Sequence, residues 1–457
     1  MTLKISISGI RGITGESLTN EVVDSFAAAY AMYTKNGRIV VGSDGRSSGA
    51  HIRTLVIGRL NKSGCEVIDV GIAPTPTIQL AVKYLSADGG IIVTASHNPP
   101  QWNGLKFVRS DGIFLNEKQA AELIGIYEKL PKSDEDKNDL RTCVSKTDNG
   151  ALDRHIDLVM KKISAAMIQK RAFKVAIDCC NGAGSVIAPK LLKKLGCEII
   201  AINTDPGQIP PRGLEPIPSN LSHLCRIVKE FGADIGFAQD PDADRLAIVS
   251  DCGEAIGEEY SLALAVLFVL SKNTGVKNKI VVTNLSTSRI TQDAASMFGA
   301  RTVRTKVGEV NVSEKIKELG ALIGGEGNGG IIWPEIGFGR DSICGIGLIL
   351  DLLADREKTV SQLVDSLPKY TMIKDKIDLP QGTDPSIMLA AAEKRFSSAK
   401  IDKTDGIKID MPDGWLHIRA SNTEPIIRII AEGTDKKRTK DLIEEIKKLG
   451  SRPAAPS

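Results

Sequence analysis

No apolar run in this chain approaches the ~18–20 residues that a membrane-spanning helix needs. The longest, Leu262–Leu270, reaches about half that length. The opening Met-Thr-Leu-Lys-Ile-Ser reaches Arg11 without the apolar region of a secretory signal, so a cytoplasmic protein is expected. Eight cysteines are scattered over 457 residues, with Cys179 and Cys180 adjacent and no C-x-x-C pair. That pattern supplies neither a disulfide framework nor a thiolate zinc site. Histidine is scarce as well, and His51, His155, His223 and His417 have no neighbours at metal-ligand spacing. Nor is there an excess of one charge: Lys+Arg 59 against Asp+Glu 56 leaves +3, which suits neither a nucleic-acid binder nor an acidic tail. A content of 42% hydrophobic and 25% charged residues excludes a disordered chain.

What is present is length and alternation. At about three times a typical domain of ~150 residues, the chain should fold as several domains. Strand and helix patterns alternate from Gly37–Val41 through helix His51–Leu60, strand Cys65–Val70, helix Thr75–Tyr84 and strand Gly90–Thr94. The charged stretch Pro131–Leu140 reads as an exposed connection. Helix Ile156–Ile168, strand Phe173–Asp178, helix Val186–Leu195 and strand Cys197–Asn203 follow it. A third round runs from helix Tyr260–Leu270 through strand Ile280–Leu285 and helices Ile290–Phe298 and Val312–Leu319 to a glycine-rich turn at Gly324–Gly330. Such alternation favours sheets covered by helices. After Pro368 the order changes to an α+β unit, in which Met411-Pro-Asp-Gly414 reads as a hairpin turn. The reading is three related α/β units plus one α+β unit, with boundaries at 1–148, 149–252, 253–367 and 368–457.

Four stretches could carry chemistry. Thr94-Ala-Ser-His-Asn-Pro-Pro100 follows an apolar strand and places Ser96 at the carboxyl edge of a sheet, where open α/β sheets bind ligands. Taken alone, it suits a nucleophile or phosphate carrier as well as it suits a polar loop. Asp240-Pro-Asp-Ala-Asp-Arg245 sets three carboxylates at alternate positions, favouring a donor set for a hard divalent cation over a solvated acidic loop. It is no EF-hand, because Arg245 stands at the sixth position and strands flank the loop. Gly325-Glu-Gly-Asn-Gly-Gly330 matches G-x-G-x-x-G, but Pro334 follows instead of a helix, so the dinucleotide reading fails. Glu326 and Asn328 suit a polyhydroxylated ligand better. Arg419-Ala-Ser-Asn-Thr-Glu424 is either a phosphate cradle or an ordinary turn.

In this order, the four stretches and the opening Ser8-Gly-Ile-Arg-Gly12 resemble the α-D-phosphohexomutase superfamily over nearly the whole chain. The G-E-G-N-G-G loop and the opening look most like the archaeal-type phosphoglucosamine mutases. The resemblance implies three related α/β domains with mixed sheets and a C-terminal α+β domain around a central cleft. It implies an isomerase that moves a phosphoryl group between O6 and O1 of a hexose, through a phosphoserine at Ser96 and a hexose 1,6-bisphosphate. Asp240, Asp242 and Asp244 would hold Mg²⁺ together with Ser96, and Arg245 would stand by the phosphoryl group. Glu326 and Asn328 would read the sugar, while Arg419, Ser421, Asn422, Thr423 and Arg428 would grip the non-reacting phosphate. Arg11 and Lys106 match basic positions for proton transfer and phosphate contact, and His97 joins them in the catalytic set. The partner would be a small hexose phosphate, with no nucleic acid or membrane, in a monomer or homodimer. Glucosamine phosphate is the favoured substrate and mannose or glucose phosphate the alternative. A silent sugar-phosphate binder and a metal-dependent phosphatase are the other classes.

Overall fold

The computed structural model describes residues 3–130, 145–379, 384–420 and 426–450. The expected connection Pro131–Leu140, the residues Ser421, Asn422 and Thr423, and the tail Ser451–Ser457 lie outside the described residues.

Four sheets follow one another along the chain. The first is mixed. Strands Gly89–Val93, Arg38–Ser43 and Glu66–Ile72 run parallel, while Trp102–Arg109 and Gly9–Ile13 continue the same sheet antiparallel. Apolar side chains cover both faces, with Phe26, Leu60 and Phe107 on one and Ile78, Val82 and Val108 on the other. The second sheet sets Lys174–Asp178 parallel to Glu198–Ile202 and Ile235–Gln239, and the third sets Ile280–Asn284 parallel to Arg301–Thr305 and Ile323–Glu326. These two share one apolar core. Ile156, Leu191 and Phe237 pack into the same cluster as Leu264, Ile323 and Ile349.

The alternation reading locates most elements within a few residues, with two corrections. The expected helix Ile156–Ile168 is two helices, Ala151–Lys162 and Ala165–Arg171. Ile163 is extended between them, and the Ser164 N–H donates to Asp351 of the third unit at 2.8 Å, so a tertiary acceptor breaks the helix. The expected helix Val186–Leu195 is a 3₁₀ turn, Ala183–Val186, followed by helix Ala188–Lys194. Strand Arg301–Thr305 escaped the reading because its Arg-Thr-Val-Arg-Thr sequence holds a single aliphatic residue. Asp341 caps helix Ser342–Arg356, accepting from the backbone N–H groups of Ile343 and Cys344.

The last sheet is wholly antiparallel and two-faced. Ile407, Ile409, Leu416, Ile418, Ile427 and Ile429 form its apolar face, packed against Met388, Leu442 and Ile446 from two helices. Alternate positions carry Lys408, Trp415, His417, Arg419, Arg428 and Glu432 on the other face. Met411 pairs with Gly414, so Pro412-Asp413 closes the expected hairpin. The polar face docks on the third unit through hydrogen bonds. Lys408 Nζ donates to the Leu285 carbonyl at 3.1 Å and lies 4.3 Å from the Trp415 ring centroid. The Arg289 N–H donates to Glu432 at 2.8 Å, and its guanidinium donates to the Met411 and Gly414 carbonyls.

His417 sits in this junction with both nitrogens engaged: Nε2 lies 2.8 Å from the Asp405 carbonyl and Nδ1 2.9 Å from Ser286 Oγ. The neutral tautomer satisfies both, donating to the carbonyl and accepting from the hydroxyl. Burial lowers its pKa from 6.5 to about 4. The unfolded chain therefore takes up a proton first, so this group's stabilisation is complete above pH ~6.5 and is lost as pH falls towards 4. In urea unfolding followed between pH 7 and 4.5, His417→Gln should show a shallower loss of stability than the parent. Equal slopes would remove His417 as the cause.

Candidate active site

Each of the first three sheets ends a strand at one place. Val93 leads into the serine loop, Gln239 into the aspartate loop and Glu326 into the glycine-rich loop. The carboxyl ends of parallel strands are where such sheets bind ligands.

Ser96 is 2% exposed and adopts a left-handed φ of 51°. A non-glycine residue held there costs on the order of 1–3 kcal/mol, so the surroundings must impose it. They do so through Asp44 and Arg46. The Ser96 N–H donates to Thr94 Oγ1 at 2.8 Å, and that hydroxyl donates to Asp44 at 2.6 Å. Arg46 forks over the loop and donates to the carbonyls of Ser96, Asn98, Pro99 and Trp102. It is fixed in turn by Asp44 at 3.1 Å. Neither residue was anticipated, although Gly42-Ser-Asp-Gly-Arg46 directly after an apolar strand was a legible signal.

Asp240, Asp242 and Asp244 are each fully buried, with candidate ligand oxygens within 4.8 Å of one another. A left-handed turn at Ala243, φ 52°, folds the loop back between the last two. Ser96 Oγ lies 3.5 Å from Asp240 Oδ2. Asp242 Oδ2 accepts from Lys106 Nζ at 2.7 Å and from Thr75 Oγ1 at 2.8 Å, while Asp244 Oδ2 meets Arg340 at 2.5 Å. Burial, joined by the Asp244 and Asp242 charges, holds the Asp240 carboxyl well above the usual carboxylate range. Burial pushes Asp242 the same way, but Lys106, Thr75 and Arg340 outweigh it and keep that carboxyl below its usual value. Among the described residues, Asp242 Oδ1 and Asp244 Oδ1 have no hydrogen-bond partner. A buried carboxylate oxygen left that way is costly. Two of them beside Asp240 and a serine hydroxyl make an all-oxygen donor set that fits a hard divalent cation.

Arg340 was missed altogether, and its local sequence, Gly339-Arg-Asp341, gave no signal. Its guanidinium joins three segments, donating to Asp244, to Glu309 at 3.1 Å and to Glu326 at 2.8 Å. These carboxylates hold its pKa well above normal despite burial. Glu326 is thereby turned inward, for its other oxygen accepts from Asn284 at 2.8 Å and from the Gly308 N–H at 3.0 Å. Any sugar contact at Glu326 would be shared with those donors. Asn328 is half-buried, and its Oδ1 has no partner among the described residues. The glycine-rich loop joins two antiparallel strands, so no helix opens there to seat a dinucleotide.

His97 lies with Nδ1 3.3 Å from Ser96 Oγ and 3.1 Å from Arg245 Nη2, and Nε2 3.4 Å from Glu215. Burial, then Arg245 and Arg11, lower its pKa to about 2, so the imidazole is neutral. Arg245 is gathered into the same cluster by Glu215 at 3.1 Å and by a backbone bond to Asp240. Arg11 donates to Asn98 at 2.9 Å, and burial lowers its pKa. On the polar face of the last sheet, Arg419 pairs with Asp405 at 2.9 Å. In strand register Arg419 stands opposite Arg428, which stands opposite Lys376. Three cationic side chains in a row offer charge-assisted donors to an anion such as a phosphate.

Arg46→Lys keeps the charge but loses the fork over four carbonyls. It should slow turnover by about tenfold to a hundredfold, through misplacement of Ser96, with little change in metal affinity. Unchanged kcat in a steady-state assay would refute that role.

The chain matches family models along its length. Phosphoglucomutase/phosphomannomutase alpha/beta/alpha domains I, II and III match residues 3–134, 153–253 and 258–370, and the C-terminal domain matches 376–449. It is 39% identical over 450 residues to a phosphoglucomutase/phosphomannomutase of Thermococcus kodakarensis, covering 95% of this chain and 96% of the relative. It is 35% identical over 452 residues to a phosphoglucosamine/phosphogalactosamine mutase of Sulfurisphaera tokodaii, covering 96% and 97%. Among solved structures, a phosphoglucomutase/phosphomannomutase family protein from Burkholderia thailandensis superposes with a TM-score of 0.82 at 26% identity, over 99% of both chains. With all four domain models matched in order, the chain belongs to the phosphoglucomutase/phosphomannomutase family of the α-D-phosphohexomutase superfamily.

Proposed function

We propose that this phosphohexomutase interconverts glucosamine 6-phosphate and glucosamine 1-phosphate through a phosphorylated Ser96 and a hexose 1,6-bisphosphate. The observation that carries the mechanism is Ser96 Oγ 3.5 Å from Asp240, beside two carboxylate oxygens with no partner among the described residues.

Phosphoryl transfer asks for positioning and charge neutralisation more than for covalent chemistry. Asp240, Asp242 and Asp244, with an oxygen on Ser96, would hold Mg²⁺, which when bound would neutralise charge on the transferring group. Arg245 and Arg11 supply positive charge from the protein. The bond from phosphorus to Ser96 Oγ breaks as a bond to the sugar's free hydroxyl oxygen forms; that hydroxyl loses its proton and Ser96 Oγ gains one, with Lys106, at the aspartates, as the proton-transfer group. The resulting bisphosphate turns around and returns its other phosphate to Ser96. The row of Arg419, Arg428 and Lys376 would hold whichever phosphate is not reacting, together with Ser421, Asn422 and Thr423, which follow Arg419 closely in sequence. Asn328 and Glu326 would contact the sugar, and neutral His97 would keep Arg245 and the Ser96 hydroxyl in place.

The preference for glucosamine draws support from the Gly325-Glu-Gly-Asn-Gly-Gly330 loop and from the relative named a phosphoglucosamine/phosphogalactosamine mutase. Mannose or glucose phosphate is the second reading, favoured by the 39% identical relative. Coupled assays with Mg²⁺ and a trace of hexose 1,6-bisphosphate should give glucosamine 6-phosphate a kcat/KM advantage of about tenfold or more. Comparable values for mannose 1-phosphate and glucose 1-phosphate would mean a broad hexose mutase. Phosphate release without isomerisation would mean a phosphatase, and no turnover a binder.

Ser96→Ala should abolish both isomerisation and labelling of the protein by radioactive hexose 1,6-bisphosphate. Retention of most activity would rule out the phosphoserine. Asp242→Asn should lose Mg²⁺-dependent turnover while keeping the fold, and full rates in EDTA would sink the metal assignment.

A further inference from the structure

Thr77, His155 and Asp341 come from three different parts of the chain and meet in one buried line. His155, on helix Ala151–Lys162, has Nδ1 2.8 Å from Thr77 Oγ1 and Nε2 2.8 Å from Asp341 Oδ2. Asp341 accepts from Nε2–H, which leaves Nδ1 to accept from the Thr77 hydroxyl. The three are only 1%, 1% and 4% exposed, so no substrate reaches them and the line is no hydrolytic triad.

What it touches at its two ends matters. Thr77 lies in the first turn of helix Thr75–Tyr84. In that turn Thr75 grips Asp242 twice, N–H to carbonyl at 2.9 Å and hydroxyl to carboxylate at 2.8 Å. Asp341 is the residue after Arg340, which holds Asp244 and Glu326. The aspartate loop is thus clasped from the first unit by Thr75 and from the third by Arg340. The second unit's His155 fastens the two clasps to each other.

We propose that His155 is a positioning residue for the aspartate loop, fixing Thr75 and Arg340 so that Asp242 and Asp244 present their oxygens to a divalent cation. This rests on the cation reading of that loop. Groups that orient metal ligands from behind typically change metal affinity by about 10–100-fold when removed.

The test is Mg²⁺ binding to the full chain by titration calorimetry, with melting temperature measured alongside. His155→Leu and Thr77→Val should each weaken Mg²⁺ binding by about tenfold or more. Combined, they should do no more than the worse of the two, because both break one line. His155→Gln, which keeps a donor and an acceptor, should recover part of the loss. Thr77→Val removes a single hydrogen bond and carries the test if His155→Leu fails to fold. Variants that melt earlier yet bind Mg²⁺ like the parent would make the line merely structural and overturn the proposal. A parent protein that binds no Mg²⁺ would overturn the cation reading itself.

Discussion

Three carboxylates buried within 4.8 Å of one another constrain everything around them. At ~4 Å and an effective dielectric near 20, each pair of like charges repels by about 4 kcal/mol. Water cannot relieve that repulsion, so protein cations must. Lys106 comes from the first sheet, Arg245 from the aspartate loop and Arg340 from the loop after the third sheet. The electrostatic demand of one loop is met only when three units are assembled. Units two and three share an apolar core, and the first is tied to them by Thr75, Lys106 and Thr77.

The protein cations leave one oxygen each on Asp242 and Asp244 without a hydrogen bond among the described residues. The raised Asp240 carboxyl is the same imbalance seen through protonation. A divalent cation would use the spare oxygens together. The site is pre-organised for charge that the protein itself does not supply, which is what phosphoryl transfer requires of a binding loop.

The last unit obeys a different rule. One face of its sheet is apolar under two helices, and the other spends its residues on a polar contact and a row of cations. A junction built from Lys408, Arg289, Glu432 and His417 can exchange its hydrogen bonds with water, as an apolar core cannot. Under the proposed mechanism, that would suit a unit able to part from the third while a bisphosphate turns.

The succession of α/β elements, the α+β ending and the serine, aspartate and glycine-rich loops were all legible in the chain. Each depends on short-range pattern: alternating apolar runs, strand-end polar residues, and carboxylates two positions apart. Lys376 was not legible, since only strand pairing brings it opposite Arg428. Nor were Glu215, Glu309, Arg340 and the Thr77–His155–Asp341 line, whose members stand far apart in sequence. The break at Ile163 likewise came from Asp351, a distant acceptor. Local physics, from backbone geometry and residue chemistry, thus determined which loops could do chemistry. Only the folded chain decided how their charges are balanced, because Coulombic and hydrogen-bond partners are chosen by distance in space, and spacing along the chain does not encode it.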